Sequence, residues 1–208
     1  MIKYIKKTFY NYDINSYILY DDKSKKCLII DLGGDFSEIS ALTDRYGLTV
    51  EGVILTHGHY DHIAGVKDAL DKGVKIFAGE EEYELLKDPI KNVSRLFGKA
   101  NYGVEITGLL REGRYGICGI DFEVIKTPGH TQGSICILVG DLLFSGDTLF
   151  CGSFGRCDLP TGDIAKLKNS ITNKLFTLCD GVTVLPGHGD ATTIEKERKS
   201  NPINGINN

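Results

Sequence analysis

Tryptophan is absent from this chain of 208 residues, methionine occurs once, and long apolar runs are missing. No hydrophobic stretch approaches the ~18 residues that a membrane-spanning helix needs, so a membrane partner is not expected. An excess of basic residues is missing as well: 24 Lys and Arg against 28 Asp and Glu leave a net charge of −4. A nucleic-acid binder would normally present a basic face, so that class is excluded too. The chain also lacks a CxxC pair. Its six cysteines, at 27, 118, 136, 151, 157 and 179, are an even number, yet a chain of this size needs no disulfide staples. Cys27 and Cys136 lie inside apolar runs and read as small buried hydrophobes. Cys151 and Cys157 follow Asp147 closely, but the plain structural reading is preferred to a metal or redox role. The basic start, Met-Ile-Lys-Tyr-Ile-Lys-Lys, runs into Thr-Phe-Tyr-Asn-Tyr-Asp rather than an apolar core, so no signal peptide is read and a cytoplasmic location is expected.

What is present is a soluble globular composition, 41% hydrophobic and 25% charged, in a length that suits one domain. Residues 15–20 and 27–31, separated by a polar turn, read as a hairpin. Helical spacing over 36–46 stops at Gly47, and a mostly β-branched run over 50–55 ends directly on Thr56 and His57. Helical periodicity resumes over 62–70, followed by a strand at 75–78 and an acidic helix at 80–86. Residues 88–103 are expected to form surface structure over a site. The second half repeats the style, with strands at 122–126, 134–139, 141–145 and 182–185, a helix at 164–178, and a charged helix at 192–200 that Pro202 stops. No linker, low-complexity tract or short repeat interrupts this order, which favours a single layered α/β domain over residues 1–208.

All five histidines fall in motifs that suit metal ligands. His57, His59 and His62 lie in one heptapeptide, Thr-His-Gly-His-Tyr-Asp-His, with Asp61 among them, while His130 and His188 each close a Pro-Gly-His tripeptide. Neutral imidazoles with carboxylates are the donor set of zinc or iron sites, and without thiolates they do not choose between the two. The period-two spacing of His57 and His59 points both rings to one side of an extended chain, and Asp61 and His62 fall after the turn, facing a neighbouring position. The motif thus offers one ligand pair to each of two metals. His130, Asp147 and His188 all stand at the carboxyl ends of expected strands, where open α/β sheets place their sites. Many of the 25 glycines cluster around these residues, as in a site built from loops.

The HxHxDH cluster followed in order by His130, Asp147 and His188 resembles the metallo-β-lactamase fold superfamily. Ile30-Asp-Leu-Gly-Gly34, Thr-Pro-Gly-His-Thr, Ser-Gly-Asp-Thr-Leu-Phe-Cys-Gly-Ser-Phe-Gly-Arg156-Cys-Asp-Leu-Pro and the ending Leu-Pro-Gly-His-Gly…Asn-Pro are similar to the small bacterial glyoxalase II-like hydrolases, over residues 12 to 202. The resemblance implies a four-layer αββα sandwich with the metals in a groove between the two sheet edges. It implies that His57, His59 and His130 hold one divalent ion, and that Asp61, His62 and His188 hold the second, with Asp147 bridging. Both ions would be zinc, with iron or a zinc and iron mixture as alternatives. A metal-bound hydroxide would then attack a small thioester of the S-2-hydroxyacyl-thiol type, with Asp61 also orienting the attacking oxygen. The helical carboxyl-terminal extension by which full-length glyoxalase II enzymes bind glutathione is not expected here, so glutathione specificity does not transfer. Tyr60, Arg156 and Asp158 are candidates for contacting the substrate or supporting the ligands, Tyr60 and Arg156 above all for substrate contact. The competing roles are packing for Tyr60 and an ion pair with Asp158 or Asp163 for Arg156. The alternative reaction class on the same fold is an iron persulfide dioxygenase using His57, His130 and Asp147. A secreted β-lactamase, a nuclease and a non-catalytic metal-binding module are disfavoured.

Overall fold

Alternation along the strands decides the architecture. In the computed structural model, which describes residues 2–206, successive buried residues of one strand enter different cores. Strand β2 (Ile14–Asp21) sends Ile18 one way and Tyr17 and Leu19 the other. Strand β3 (Lys26–Ile30) divides Cys27 and Ile29 from Leu28 and Ile30 in the same manner. Strands buried on both faces account for the continuous apolar runs of the sequence.

The first sheet runs β1 (Ile2–Phe9), β2, β3, β4 (Thr49–Leu55), β5 (Lys75–Gly79), β6 (Gly108–Leu110), antiparallel through β3 and parallel beyond it. Helices α1 (Phe36–Arg45), α2 (Tyr60–Ile63) and α3 (Val66–Asp71) cover its outer face through the core that holds Ile29, Phe36, Ile39, Val53 and Val66. Helix α4 (Tyr83–Lys87) follows a 3-10 turn, Glu80–Glu82. The second sheet contains β7 (Gly113–Ile117), β8 (Ile120–Lys126), β9 (Ile135–Val139), β10 (Leu142–Gly146), β13 (Thr183–Pro186) and β14 (Thr192–Thr193), in the order β14-β13-β10-β9-β8-β7. A small hairpin of β11 (Leu149–Phe150) and β12 (Ser153–Phe154) leaves it after β10. The core between the sheets joins Ile30, Ile54, Ile137, Phe144 and Leu185. A third core packs α5 (Ile164–Asn173) and α6 (Ile194–Ser200) on the second sheet's outer face through Cys136, Leu143, Leu167, Ile171 and Ile194. Three cores between four layers make an αββα sandwich. Among the described residues no helix is long and apolar enough to cross a membrane.

Several elements differ from their sequence reading. The helix expected over 62–70 breaks at Gly65, whose N–H donates to the Leu32 carbonyl instead of to its own helix. A Cβ there would lie 1.9 Å from the Gly34 oxygen, so this contact needs glycine. The helix expected over 164–178 stops at Asn173, and a tighter 3-10 turn buries adjacent Leu175 and Phe176 together. Thr192 and Thr193 pair with β13 before α6 begins. Strands β1, β6 and β7 were not expected. The first is a half-exposed, lysine-bearing edge strand with weak alternation, the second has three residues, and the third is a half-exposed edge strand whose two glycines mask its alternation in the sequence.

Candidate metal centre

Four strand ends and one short helix deliver the candidate ligands. His57 and His59 follow β4, and Asp61 and His62 lie in the first turn of α2. His130 sits in the turn from β8 to β9, Asp147 directly after β10, and His188 beyond β13. The two halves are stapled across this edge. Asn15 N–H donates to the Gly187 carbonyl at 2.7 Å, and the Asn15 amide and Tyr17 hydroxyl both donate to the Pro186 carbonyl.

All seven residues come together. His57, His59 and His130 form one group whose ligand atoms lie within 4.8 Å of one another, Asp61, His62 and His188 form a second, and His57, His62 and Asp147 a third between them. In the first group His59 Nδ1 and His57 Nε2 face His130 Nε2 at 2.8 and 3.2 Å. With its Nδ1 donating to the Arg156 carbonyl, His130 presents an unprotonated Nε2, and the three nitrogens converge on one point where a cation could take the place of a shared proton. Burial and the neighbouring imidazoles hold His57 well below its ordinary value, and burial brings His59 down to about 3 and lowers His130. These rings are neutral, the form that coordinates a metal. His188 Nε2 lies 3.2 Å from Asp61 and 3.6 Å from Asp147, and His62 Nε2 lies 3.1 Å from Asp147. Burial opposes charge on His62, but the Asp147, Asp31 and Asp61 carboxylates outweigh it and hold that ring well above its ordinary value. Burial likewise opposes charge on Asp61 and Asp147, and the adjacent imidazoles reverse it, so both carboxyls fall below the usual range.

The donor set fits divalent metal ions. His59 Nε2, His62 Nε2 and Asp147 Oδ1 are buried without a hydrogen-bond partner among the described residues, although such atoms are almost always satisfied. The two at the centre, His62 Nε2 and Asp147 Oδ1, lie 3.1 Å apart without the geometry of a hydrogen bond, and a cation would be a common partner for both. Gly187 leaves the room: a Cβ there would meet Asp147 Oδ1 at 2.4 Å and His62 Cε1 at 2.6 Å.

Outer partners aim the rings. His62 Nδ1 donates to Asp31 at 2.8 Å, His130 Nδ1 to the Arg156 carbonyl at 2.8 Å, and His188 Nδ1 to the Asp13 carbonyl at 2.7 Å. Asp31, buried at the end of β3 with φ +56°, also accepts from the Thr56 N–H and hydroxyl, and Thr56 Oγ lies 3.2 Å from His57 Nδ1. One carboxylate therefore braces ligands of both groups. Glu82, fully buried, accepts from Gly58 N–H at 2.8 Å, Gly133 N–H at 2.9 Å and the Thr131 hydroxyl at 3.0 Å, tying the His57–His59 segment to the His130 turn. Burial pushes its carboxyl up to about 7. The sequence reading missed both residues as functional. Asp31 had a signal, a strand-end aspartate before Gly33-Gly34; Glu82 had none, being the third of three glutamates that read as a solvated face.

Tyr60 and Arg156 lie where packing and ion pairing put them. The Tyr60 ring is buried against Tyr12, Phe97 and Tyr102 and does not line the ligand pocket. Arg156 reaches the pocket rim, but its guanidinium is held by both Asp158 oxygens at 2.6 and 2.7 Å. Asp163 instead caps α5. Cys27 and Cys136 are buried, all six cysteines are unpaired, and neither Cys151 nor Cys157 joins a metal-ligand group. The pocket over the centre is 430 Å³, floored by His59, Asp61, His130, Asp147 and His188 and walled by apolar side chains from the expected 88–103 segment and the β11–β12 hairpin.

Comparison with known proteins identifies the family. The family profile of the Metallo-beta-lactamase superfamily matches residues 10–188. The chain is 34% identical over 195 residues to hydroxyacylglutathione hydrolase GloC of Haemophilus influenzae, covering 91% of this chain and 92% of that protein. Among solved structures, BLEG-1 B3 metallo-beta-lactamase superposes with a TM-score of 0.90 at 35% identity, covering 96% of this chain and 98% of that one. TTHA1623, in a di-iron-bound form, superposes with a TM-score of 0.82 at 30% identity, covering 95% and 98%. The chain belongs to the metallo-beta-lactamase superfamily.

Proposed function

From that membership we propose that the chain is a dinuclear metal-dependent hydrolase that cleaves a small thioester of the S-2-hydroxyacyl-thiol type. The observation that carries the reading is the pair of ligand groups set back to back around Asp147 at the floor of one pocket. His57, His59 and His130 would hold one divalent ion and Asp61, His62 and His188 the second, with Asp147 between them. Such ions, zinc or iron, supply a water-derived nucleophile at neutral pH and polarise the scissile carbonyl.

The chain's own residues do the rest. Asp61 lines the pocket, and its Oδ2, 3.2 Å from His188, is placed to orient the attacking water and accept its proton. Asp31 and the Arg156 and Asp13 carbonyls keep the imidazoles in one tautomer and one orientation. Phe150, Phe154 and Leu159 exclude bulk water around the carbonyl, which strengthens every charge interaction inside. A thiolate leaves with little acid assistance, and no separate serine or cysteine nucleophile is needed. Six unpaired cysteines are in keeping with a reducing, cytoplasmic compartment.

The test pairs elemental analysis of protein purified without added metal with four assays: S-lactoylglutathione hydrolysis, other thioesters, a β-lactam, and oxygen uptake on glutathione persulfide. Near two metals per chain with thioester turnover is the expected result. One iron per chain with oxygen consumption and no thioester cleavage would replace the reading by the dioxygenase, a reaction that leaves the Asp61–His188 pair without a task. Preferential β-lactam turnover would replace it by a lactamase.

A further inference from the structure

The wall segment over the centre is built rather than loose. Asn92 is fully buried, its amide donates to the Leu86 and Tyr102 carbonyls at 3.1 and 2.7 Å, and its own carbonyl accepts the Tyr60 N–H at 2.9 Å, inside the ligand segment. Ser94 Oγ reaches the Lys99 carbonyl at 3.0 Å. Between these clips Val93, a β-branched residue, sits at φ +56°, a conformation that persists only where surrounding contacts impose it. The result turns Val93 into the pocket and leaves Leu96 77% and Ile90 58% exposed.

Val93, Leu96 and Leu159 line not only the pocket over the metal ligands but also a second cavity of 330 Å³, which Ile90, Arg95 and Pro160 complete. Five of its six lining residues are apolar, and it adjoins the pocket over the metal ligands at the three shared side chains. We propose that this cavity is the subsite for an unbranched hydrocarbon arm of the thioester substrate. The inference rests on the hydrolase reading for the reaction, but not for the binding of the arm. A multiply charged arm such as a glutathionyl group would shed hydration against five apolar side chains here and meet a single cation, Arg95, at the rim. The guanidinium nearest the centre, Arg156, is already engaged by Asp158, and Arg95 stands on the exposed rim of the cavity. A hydrocarbon arm loses no hydrogen bonds and gains up to about fourfold in affinity per buried methylene.

The arm could belong to the acyl group or to the thiol, so two substrate series separate the sources. One lengthens the acyl chain from acetyl to octanoyl on a common thiol, and the other lengthens an alkyl thiol on a common acetyl group. In the metal-loaded enzyme, kcat/KM should rise about two- to fourfold per methylene along one series until the cavity fills. Leu96→Ser, at an exposed position that folding tolerates, and Leu159→Ser should each flatten that slope. In parallel, calorimetry follows binding of alkyl thioethers, which cannot be hydrolysed, to the metal-free protein, where affinity should climb with chain length and Leu96→Ser should abolish the climb.

Flat profiles in both series together with length-independent thioether binding would overturn the subsite while leaving any thioester hydrolysis intact. No turnover of any thioester, with thioether binding that still climbs with length, would keep the subsite and sink the hydrolase. A concentration-dependent dimer in sedimentation that Leu96→Ser dissociates, with no chain-length effect, would assign the apolar patch to a second copy of the chain and overturn the proposal.

Discussion

The two ligand groups face each other across Asp147 but are made of different material. His57, His59 and His130 are almost wholly buried imidazoles, kept neutral by burial and by one another. Asp61, His62 and His188 mix a carboxylate with two rings, and two of the three reach solvent, with side chains 19% and 27% exposed for Asp61 and His188. The first group is a rigid socket of soft-field nitrogens. The second is more open, and its charge balance depends on carboxylates around it, Asp31 and Asp147 above all. Both groups face the same pocket, but solvent reaches the second more readily than the first.

The largest blow to this contrast is expected from His130→Ala. It should empty the first group and reduce thioester turnover beyond the 10–100-fold typical of losing an outer-shell partner, with elemental analysis showing the metal lost. Gly187→Ala should come next, because its methyl would press on Asp147 and His62 together while leaving His59 and His130 untouched. Titration against a chromophoric chelator should then show the second site, which involves both His62 and Asp147, weakened more than the first, which shares only Asp147. Asp31→Asn sharpens the contrast further. Its effect on metal affinity or rate should be about 10–100-fold and heavier on the second group, whose His62 it directly orients; equal weakening of both sites would show that its bond to Thr56 dominates.

Smaller effects belong to the clip and the rim. Glu82→Ala should leave the Gly58 and Gly133 N–H groups without partners at about 1–3 kcal/mol per orphaned group, read as a fall in the denaturation midpoint. The carboxyl's displacement to about 7 adds a sign that can be checked on metal-free protein. Between its unfolded value, near 4.5, and about 7 the native state holds the proton and the unfolded state does not. Its contribution to stability is thus complete below that window and lost as pH rises through it. Glu82→Gln should remove that part of the slope. Arg156→Ala should change stability by less than about 1 kcal/mol, since its pair with Asp158 is exposed. A tenfold rise in KM for an anionic thioester would instead give Arg156 a place in substrate binding.

The sequence carried the architecture wherever one kind of residue dominated a stretch. Apolar runs over 50–55 and 182–185 became the parallel strands β4 and β13 because burial on both faces leaves no room for polar alternation. His57, His59 and His62 were legible because three histidines in six positions have no common structural use. What escaped was whatever depends on partners distant in the chain. Glu82 reads as one of three exposed glutamates until the fold lays it against Gly58, Thr131 and Gly133. Tyr60 and Arg156 were singled out for their side chains, whereas the structure uses the N–H of one and the carbonyl of the other. Backbone roles leave almost no trace in residue identity.

The staple between Asn15, Tyr17 and the Pro186–Gly187 turn sets an order of events during synthesis. His188 is positioned by residues at the opposite end of the chain, through Asp13, the Ile14 bridge and Asn15. Contacts so far apart in sequence close late, after the loss of chain entropy has been met by more local pairings. His57, His59 and His130 leave the ribosome before His188, the residue that completes the neighbouring group. A chain truncated before residue 186 would keep His57, His59 and His130 but lack the residue that completes the second group.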